Sequence, residues 1–425
     1  MADRIQAVRG MNDILPQDAK RWRAVERVLI DILEQYGYEE VRCPVIEFVQ
    51  VFERGVGEVT DIVEKEMYVF PDRNGEKLAL RPEGTAGCVR MGIEQGLLYH
   101  ASPKWWYLGP MFRYEKPQKG RSRQFHQLGV EVFGISGAAI EWELFMLTQR
   151  FWKALGLADK VSLEINTLGT STERAAYKDA LVAYLRQHFE ALDADSQRRL
   201  NSNPLRILDS KNPTVHSLLQ EAPRLWDSLG EESQTYFKTL CTGLDALGIA
   251  YQINPRLVRG LDYYNHTVFE WTTKELGSQG TICGGGRYDD LVAQLGGQST
   301  PAVGFSIGLE RLVLLAEQVK NEVSDSGSQI YFVLVPDAMI AAMQLADQLR
   351  ELGYVVHVPS AGGSFKNQFK KADKSGAEIA LVIGEQEWQE HSIGIKYLRR
   401  EQAQVTLPKD QLLEFLHREL SCRHI

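Results

Sequence analysis

The sequence predicts an α+β protein in which a largely antiparallel sheet flanked by helices is followed by a smaller α/β domain. Three observations carry this. The strand-like runs come as hairpin pairs rather than alternating with helices. A polar, helix-patterned segment, residues 171–250, interrupts them. Past a break at 321–328 (NEVSDSGS), short apolar runs alternate with helical segments, which makes a three-layer βαβαβ core.

Taken in order, Pro16 opens the first element. Trp22, Val25, Leu29, Ile32 and Leu33 recur at three- and four-residue spacing, and Gly37 closes the run. This is an amphipathic helix with proline at its start and glycine past its end. Val41–Ile46 reads as a strand, and its Pro44 marks an edge. Met67–Phe70 and Lys77–Arg81 pair through a turn containing Asn74-Gly75. Trp105–Glu115 and Gln124–Gly134 form a second hairpin. Thr267–Thr273 and Gly280–Cys283 follow, and then Pro301–Leu315, where a strand runs into a helix. In the last segment Tyr331–Val335, Tyr354–Val358 and Glu378–Ile383 read as strands. The domains expected are 1–170 and 251–325, two parts of one sheet domain, with 171–250 a helical insertion and 330–425 a separate C-terminal domain.

The chain has 425 residues, with 48 basic and 56 acidic side chains and a formal charge of −8. No stretch approaches the roughly 20 apolar residues of a membrane helix, and the N-terminus lacks a signal-like apolar core. A cytoplasmic location is expected. Five scattered cysteines, an odd number, argue against a disulfide framework, and no CxxC or HxxxH spacing suggests zinc. The acidic total does not exclude nucleic acid, because binding follows local charge. Arg113–Arg123 carries five basic residues and one acidic. No GxGxxG follows a strand, and the GGGR cluster at 284–287 lacks the lysine of a P-loop.

Strand alternation puts Gln127, Gly129 and Glu131 on one face and Leu128, Val130 and Val132 on the other. A glycine between two polar groups leaves room for a ligand across the strand. Glu83 and Thr85 share a face if LRPEGT is extended. Arg113, Arg259 and Arg311 sit in apolar contexts, where an unpaired guanidinium is costly; arginine is the side chain best shaped to grip phosphates and carboxylates. His126, on the apolar face, reads as a packed histidine rather than a catalytic base.

At these residues the chain resembles a known family. YLGPMFRYEKPQKGRSRQFHQLGVEVFG is similar to motif 2 of class II aminoacyl-tRNA synthetases, GFSIGLERLVLL to motif 3, and the first helix with VRCPVIE to motif 1. LVRGLDYY (257–264), GGGRYDDL (284–291) and LRPEGT (80–85) resemble motifs of the histidyl-tRNA synthetase family. Asp290 stands where that motif leads one to expect glycine. The other readings are a class II synthetase of different specificity, a catalytically dead paralogue that regulates a histidine-biosynthetic enzyme, and a non-enzymatic RNA-binding regulator. The motifs around Arg259 and Arg287, the retained arginines and the C-terminal domain speak against them.

The resemblance implies a class II synthetase-like antiparallel six-stranded sheet and a C-terminal anticodon-binding domain. It implies ligation of L-histidine to tRNA(His) through a histidyl-adenylate, with release of AMP and pyrophosphate. Arg113 would hold the α-phosphate of ATP, Arg311 the γ-phosphate and Glu115 the adenosine end, with Arg121 on the phosphate side of the loop. Arg259 would bridge the histidine carboxylate and the α-phosphate. Mg²⁺ would accompany the ATP phosphates, with no zinc and no metal held by the protein alone. Glu83, Thr85 and Gln127 would hold the α-ammonium group. Glu131 would accept the imidazole N–H and Tyr264 would meet the other ring nitrogen, in a pocket lined by Tyr263 and Tyr288. Lys116, Gln118, Lys119 and Arg123 would meet the tRNA acceptor end. Lys370 and Lys371, in a patch with Lys366 and Lys374 against Asp373, would meet its anticodon arm. Motif 1 would form a homodimer interface.

Overall fold

The structure, a computed structural model, describes residues 4–57, 60–118, 120–210, 212–277, 280–319, 329–359 and 363–420. They fall into two compact units, Met1–Val323 and Ser324–Ile425.

The first unit is built on an eight-stranded sheet. Its six central strands run Lys104–Phe112, Gln124–Phe133, Ala302–Gly308, Thr281–Arg287, Asn265–Thr272 and Ser162–Thr167, antiparallel throughout. Two short strands, Glu39–Glu40 and Tyr251–Ile253, add to the edges in parallel. Alternation divides the sheet cleanly. Leu128, Val130, Val132, Val303, Phe305 and Ile307 point to one face and pack under the helices Pro16–Gln35, Ala139–Ala154 and Leu309–Val319. Part of the other face packs Trp105, Tyr107, Met111 and Phe133 into a second core, and the rest is left for chemistry.

The first helix begins with Pro16 at its first turn and ends before Gly37 at φ +75°, a left-handed position that glycine adopts without steric cost. The strand expected over Val41–Ile46 does not form. Pro44 has no N–H to give a ladder, and the chain splits into Glu39–Glu40 on the large sheet and Ile46–Phe48 in a separate three-stranded sheet with Tyr68–Pro71 and Lys77–Leu80. The glycine cluster at 284–286 lies inside a central strand rather than in a loop.

Between 171 and 250 the chain is helical. Ser171–Gln187 opens on a reciprocal cap in which Thr170 Oγ1 accepts from Glu173 N at 3.2 Å and Glu173 Oε2 accepts from Thr170 N at 2.7 Å. Tyr177, Leu181, Leu185, Leu200 and Ile207 are buried together. Helix Glu231–Ala246 packs differently: Phe237, Leu240 and Leu244 join the core under the large sheet.

A buried ion pair ties these parts. Arg287 Nε donates to Glu141 Oε1 at 3.0 Å, and both side chains are nearly inaccessible. Glu141 also accepts from Tyr236 on the Glu231–Ala246 helix and from Thr267 on the sheet, each at 3.0 Å. Burial raises the Glu141 pKa, and Arg287 opposes that rise. Asp290 precedes the short helix Leu291–Gln294 with φ −84°, so the position makes no demand that only glycine could meet.

In the second unit, Val356–His357, Ile330–Leu334 and Ile379–Ile383 are parallel, as the βαβαβ reading expects. Ser392–Tyr397 and Val405–Pro408 extend the sheet antiparallel, beyond that expectation. Met339–Glu351 and Leu412–Glu419 cover one face and Phe365–Lys374 the other, giving three layers.

Replacing Arg287 by methionine leaves Glu141 buried with hydroxyl partners but no cation. Losing one member of a buried pair costs about 3–5 kcal/mol. The Arg287→Met protein should show a loss of that size in denaturant unfolding of the first unit, and a change below about 1 kcal/mol would disprove the role of the pair.

Candidate active site

The opposite face of the sheet carries a second apolar cluster, Trp105, Tyr107, Met111 and Phe133 among it, and beside that cluster the glycines Gly284, Gly304 and Gly308 floor a cavity of about 1020 Å³. Space here is specified by absent side chains. A Cβ on Gly304 would overlap the Glu131 carboxylate, and one on Gly284 would meet the Arg259 guanidinium.

One end of the cavity is built around Glu131, which is buried on the Gln124–Phe133 strand. Its Oε1 accepts from Thr85 Oγ1 at 2.7 Å and from the Tyr107 hydroxyl at 2.9 Å, and its Oε2 accepts from the Tyr288 hydroxyl. Burial pushes the Glu131 carboxyl up to about 8; the Tyr288, Thr85 and Tyr107 hydroxyls pull against that rise. Tyr263, Tyr264 and Tyr288 form an aromatic cluster beside it, with ring centroids 4.7–6.4 Å apart. Gln127 lies farther back along the same strand and face, as alternation requires.

Glu83 and Thr85 also line this end, but not as parts of a strand. Thr85 begins the helix Thr85–Glu94, and the Glu83 carboxylate caps it, accepting from Thr85 N at 2.8 Å and Ala86 N at 2.9 Å. Free N–H groups at a helix start favour an anion there. Burial raises the Glu83 pKa, and the two N–H groups counter it.

The other end is cationic. Arg113, just past its strand, donates through Nε to Pro82 O at 2.8 Å. Arg121 Nε lies 3.0 Å from Glu115 Oε2, so Glu115 already has a cationic partner. Arg311 donates to Gly120 O at 3.1 Å and Thr281 O at 2.7 Å; burial lowers its pKa, with Arg121 next in effect. Its neighbour Glu310 accepts from His126 N at 2.9 Å and lies 3.1 Å from His126 Nδ1. His126 also meets Trp22 edge-on, which gives it a packed role.

Arg259 bridges the two ends. Its guanidinium is paired with Glu270, while its Nε is buried with no hydrogen-bond partner. Burial disfavours its charge, but Glu270 more than offsets that and raises the pKa.

Twelve expected site residues therefore meet in one cavity: Glu83, Thr85, Gln127, Glu131, Tyr263, Tyr264, Tyr288, Arg259, Arg113, Glu115, Arg121 and Arg311. The expected tRNA contacts lie outside it. Lys116 and Gln118 are exposed, and the Arg123 guanidinium stacks 3.7 Å over the Tyr114 ring; Lys119 lies outside the described residues. Lys366, Lys370, Lys371 and Lys374 are exposed on the Phe365–Lys374 helix. Asp373, expected to temper them, is instead drawn to Arg399 at 2.9 Å.

Three contributions escape sequence reasoning. Tyr107 gives no polar signal among aromatic neighbours. Glu270 is a carboxylate within the apolar run Val268–Trp271, and its alternation with buried neighbours is the signal that could have found it. The 171–250 segment, expected to hold no site residues, brings Asp193, Arg198, Arg199, Asn203, Arg206 and Asn212 to the cavity wall. Asn203 Nδ2 donates to Asp262 at 3.2 Å, and Arg199 lies 3.7 Å from Asp61. Polar helix faces look alike in sequence whether they meet solvent or a cleft.

Known proteins are similar to this chain in sequence and fold. Residues 10–312 match the family model for histidyl-tRNA synthetase, and residues 315–419 match that for an anticodon binding domain. The chain is similar to apo histidyl-tRNA synthetase of S. aureus, at 34% identity over 97% of this chain and 99% of that one, with a TM-score of 0.80. Two more distant structures share the fold. Histidyl-tRNA synthetase from Nostoc sp. PCC 7120 has 20% identity over 98% and 100% of the chains and a TM-score of 0.71. A Bacillus halodurans protein described as an ATP phosphoribosyltransferase regulatory subunit/histidyl-tRNA synthetase has 21% identity over 90% and 99%, with a TM-score of 0.63. The motifs, the six-stranded antiparallel core and these matches agree: the chain belongs to the histidyl-tRNA synthetase family, and is a histidine–tRNA ligase of class II.

Proposed function

We propose that the chain activates L-histidine with ATP as a histidyl-adenylate and then transfers the histidyl group to tRNA(His). In the first step a histidine carboxylate oxygen attacks the α-phosphorus, and the bond to pyrophosphate breaks. In the second the terminal ribose hydroxyl of the tRNA attacks the acyl carbon, loses its proton, and AMP leaves. Charge builds on oxygens in both steps, so positioning and cationic stabilisation dominate. The observation that carries the reading is the single cavity with a buried carboxylate ringed by hydroxyls at one end, arginines at the other, and Arg259 between them.

Glu131 accepts the imidazole N–H and Tyr264 serves the other nitrogen; neutral imidazole presents one donor and one acceptor. Glu83, Thr85 and Gln127 take the ammonium group. Arg113 grips the α-phosphate, Arg311 the γ-phosphate and Glu115 the adenosine end, with Arg121 on the phosphate side of the loop. The unpartnered Arg259 Nε supports a role on a substrate oxygen, since a buried donor without a partner is costly until one arrives. Magnesium would come with the β- and γ-phosphates and neutralise their charge. Glu115 and Glu270 line the cavity, but each already faces an arginine, so the phosphates rather than a protein ligand set would hold this ion.

Lys116, Gln118, Lys119 and Arg123 would guide the acceptor end, and Lys370 and Lys371 the phosphates of the anticodon arm. The protein would act in the cytoplasm as a homodimer. No helix among the described residues is long and apolar enough to cross a membrane. Ile46 and Phe48, which follow the motif 1 helix in the chain, are 46% and 50% exposed on the three-stranded sheet, with Phe70 on the same sheet at 37%. A contiguous apolar surface of this kind suits a two-fold interface.

Histidine alone among the amino acids should drive ATP–pyrophosphate exchange; exchange driven by proline or threonine, with histidine inert, would refute the specificity. Arg259→His should fold and bind ATP within a few-fold, yet lose adenylate formation by about 10²–10³-fold, the usual cost of one preorganised donor. Single-turnover adenylation and the thermal midpoint, measured on one preparation, decide it: a stability loss large enough to explain the lost activity would make Arg259 structural. Replacing Lys370 and Lys371 by alanine should flatten the salt dependence of tRNA binding by roughly one unit of slope for each phosphate no longer neutralised, and an unchanged slope would leave that patch in solvent.

A further inference from the structure

The residue that the histidine reading leaves unexplained is Tyr107. It stands directly opposite Gly129 in the antiparallel register and is buried. Its ring occupies the space that a side chain at Gly129 or at Gly84 would need; a Cβ at either position would overlap the ring. Two motifs far apart in sequence, LRPEGT and QLGVEVF, are thus both hollowed around one aromatic ring. The ring carries its hydroxyl to Glu131 Oε1 at 2.9 Å.

Acceptor capacity gives that contact its meaning. An ionised carboxylate offers about four lone-pair positions, two on each oxygen. Thr85 and Tyr107 take both positions on Oε1, and Tyr288 takes one on Oε2. A single acceptor position remains, on Oε2, which lies over Gly304 in the space a Cβ there would take. Resting on the histidine reading of this pocket, we propose that Tyr107 is a positioning residue that determines specificity: by saturating Oε1 it confines the imidazole N–H of the substrate to Oε2 and so fixes the ring's orientation toward Tyr264.

Tyr107 also acts on the charge of Glu131. The groups facing that carboxylate are Tyr107 from its neighbouring strand, Glu83 and Cys88 from the segment around the Thr85 helix, Tyr263 and Tyr264, and Tyr288. None is a cation, so hydroxyl donors are what favour the ionised form. Burial raises the Glu131 pKa and these donors lower it. Removing one donor must therefore raise it further, and the carboxylate becomes available only at higher pH.

Tyr107→Phe is the test, because it keeps the ring that fills the space beside Gly84 and Gly129. The carboxyl is titrated by difference infrared spectroscopy without substrate, with the Glu131 band assigned through Glu131→Gln. Exchange is then measured against pH with histidine and ATP varied separately. The midpoint should rise by about one unit, and KM for histidine at neutral pH should rise about ten-fold, the cost of one hydrogen bond to a charged group. KM for ATP and the thermal midpoint should hold. Gly129→Ala, which displaces the ring but keeps the hydroxyl, should produce the same histidine-selective defect. An unmoved carboxyl midpoint in Tyr107→Phe, or equal losses for histidine and ATP, would overturn the proposal. Wild-type protein inert toward histidine would instead overturn the functional reading, and the substrate-free titration would still judge the part played by Tyr107.

Discussion

The strict two-residue alternation of an antiparallel sheet is the constraint on which the rest of this structure depends. The Gln124–Phe133 and Ala302–Gly308 strands must fill a helix-covered core on one side and leave an open floor on the other. Val130 and Phe305 satisfy the first demand; Gln127 and Gly304 satisfy the second. A one-residue slip in register would exchange the two faces and destroy core and cavity together. Stability and binding are thereby written on alternate residues of the same segments.

The cavity also separates two electrostatic regimes. Around Glu131 a buried carboxyl is held by neutral hydroxyls, whose hydrogen bonds oppose the upward push of burial on its pKa. Around Arg113, Arg121 and Arg311 positive charge is gathered, with Glu115 and Glu66 set against it. Arg259 links them because Glu270 keeps it charged in a buried position. The cost of burying charge is thus met by an anion at Arg259 and by hydrogen bonds at Glu131.

Much of this is legible in the sequence where a local period dictates geometry. Gln127 and Glu131 fall on one face from alternation alone, and the first helix follows from its apolar spacing and its flanking Pro16 and Gly37. Legibility fails where the third dimension intervenes. Alternation expects Glu83 and Thr85 together on a strand; they are together because a carboxylate caps a helix. Pro44 suggests an edge strand and instead divides the chain between two sheets. The Asp193–Asn212 stretch has no local mark of a cavity wall, since only the return of the chain over the sheet brings it there.

The Glu310–His126 contact has a consequence for the cost of binding a nucleotide. The carboxylate holds both the backbone N–H and the ring of His126, so the start of the Leu309–Val319 helix is locked in register with the Gln124–Phe133 strand. Arg311 therefore leaves from a backbone already fixed relative to the cavity floor. The conformational entropy of aligning that backbone is lost when the protein folds, and little remains to be lost when phosphate arrives. Association at this end should accordingly carry a small ordering penalty, and its heat should report mainly the exchange of water for charge-assisted hydrogen bonds.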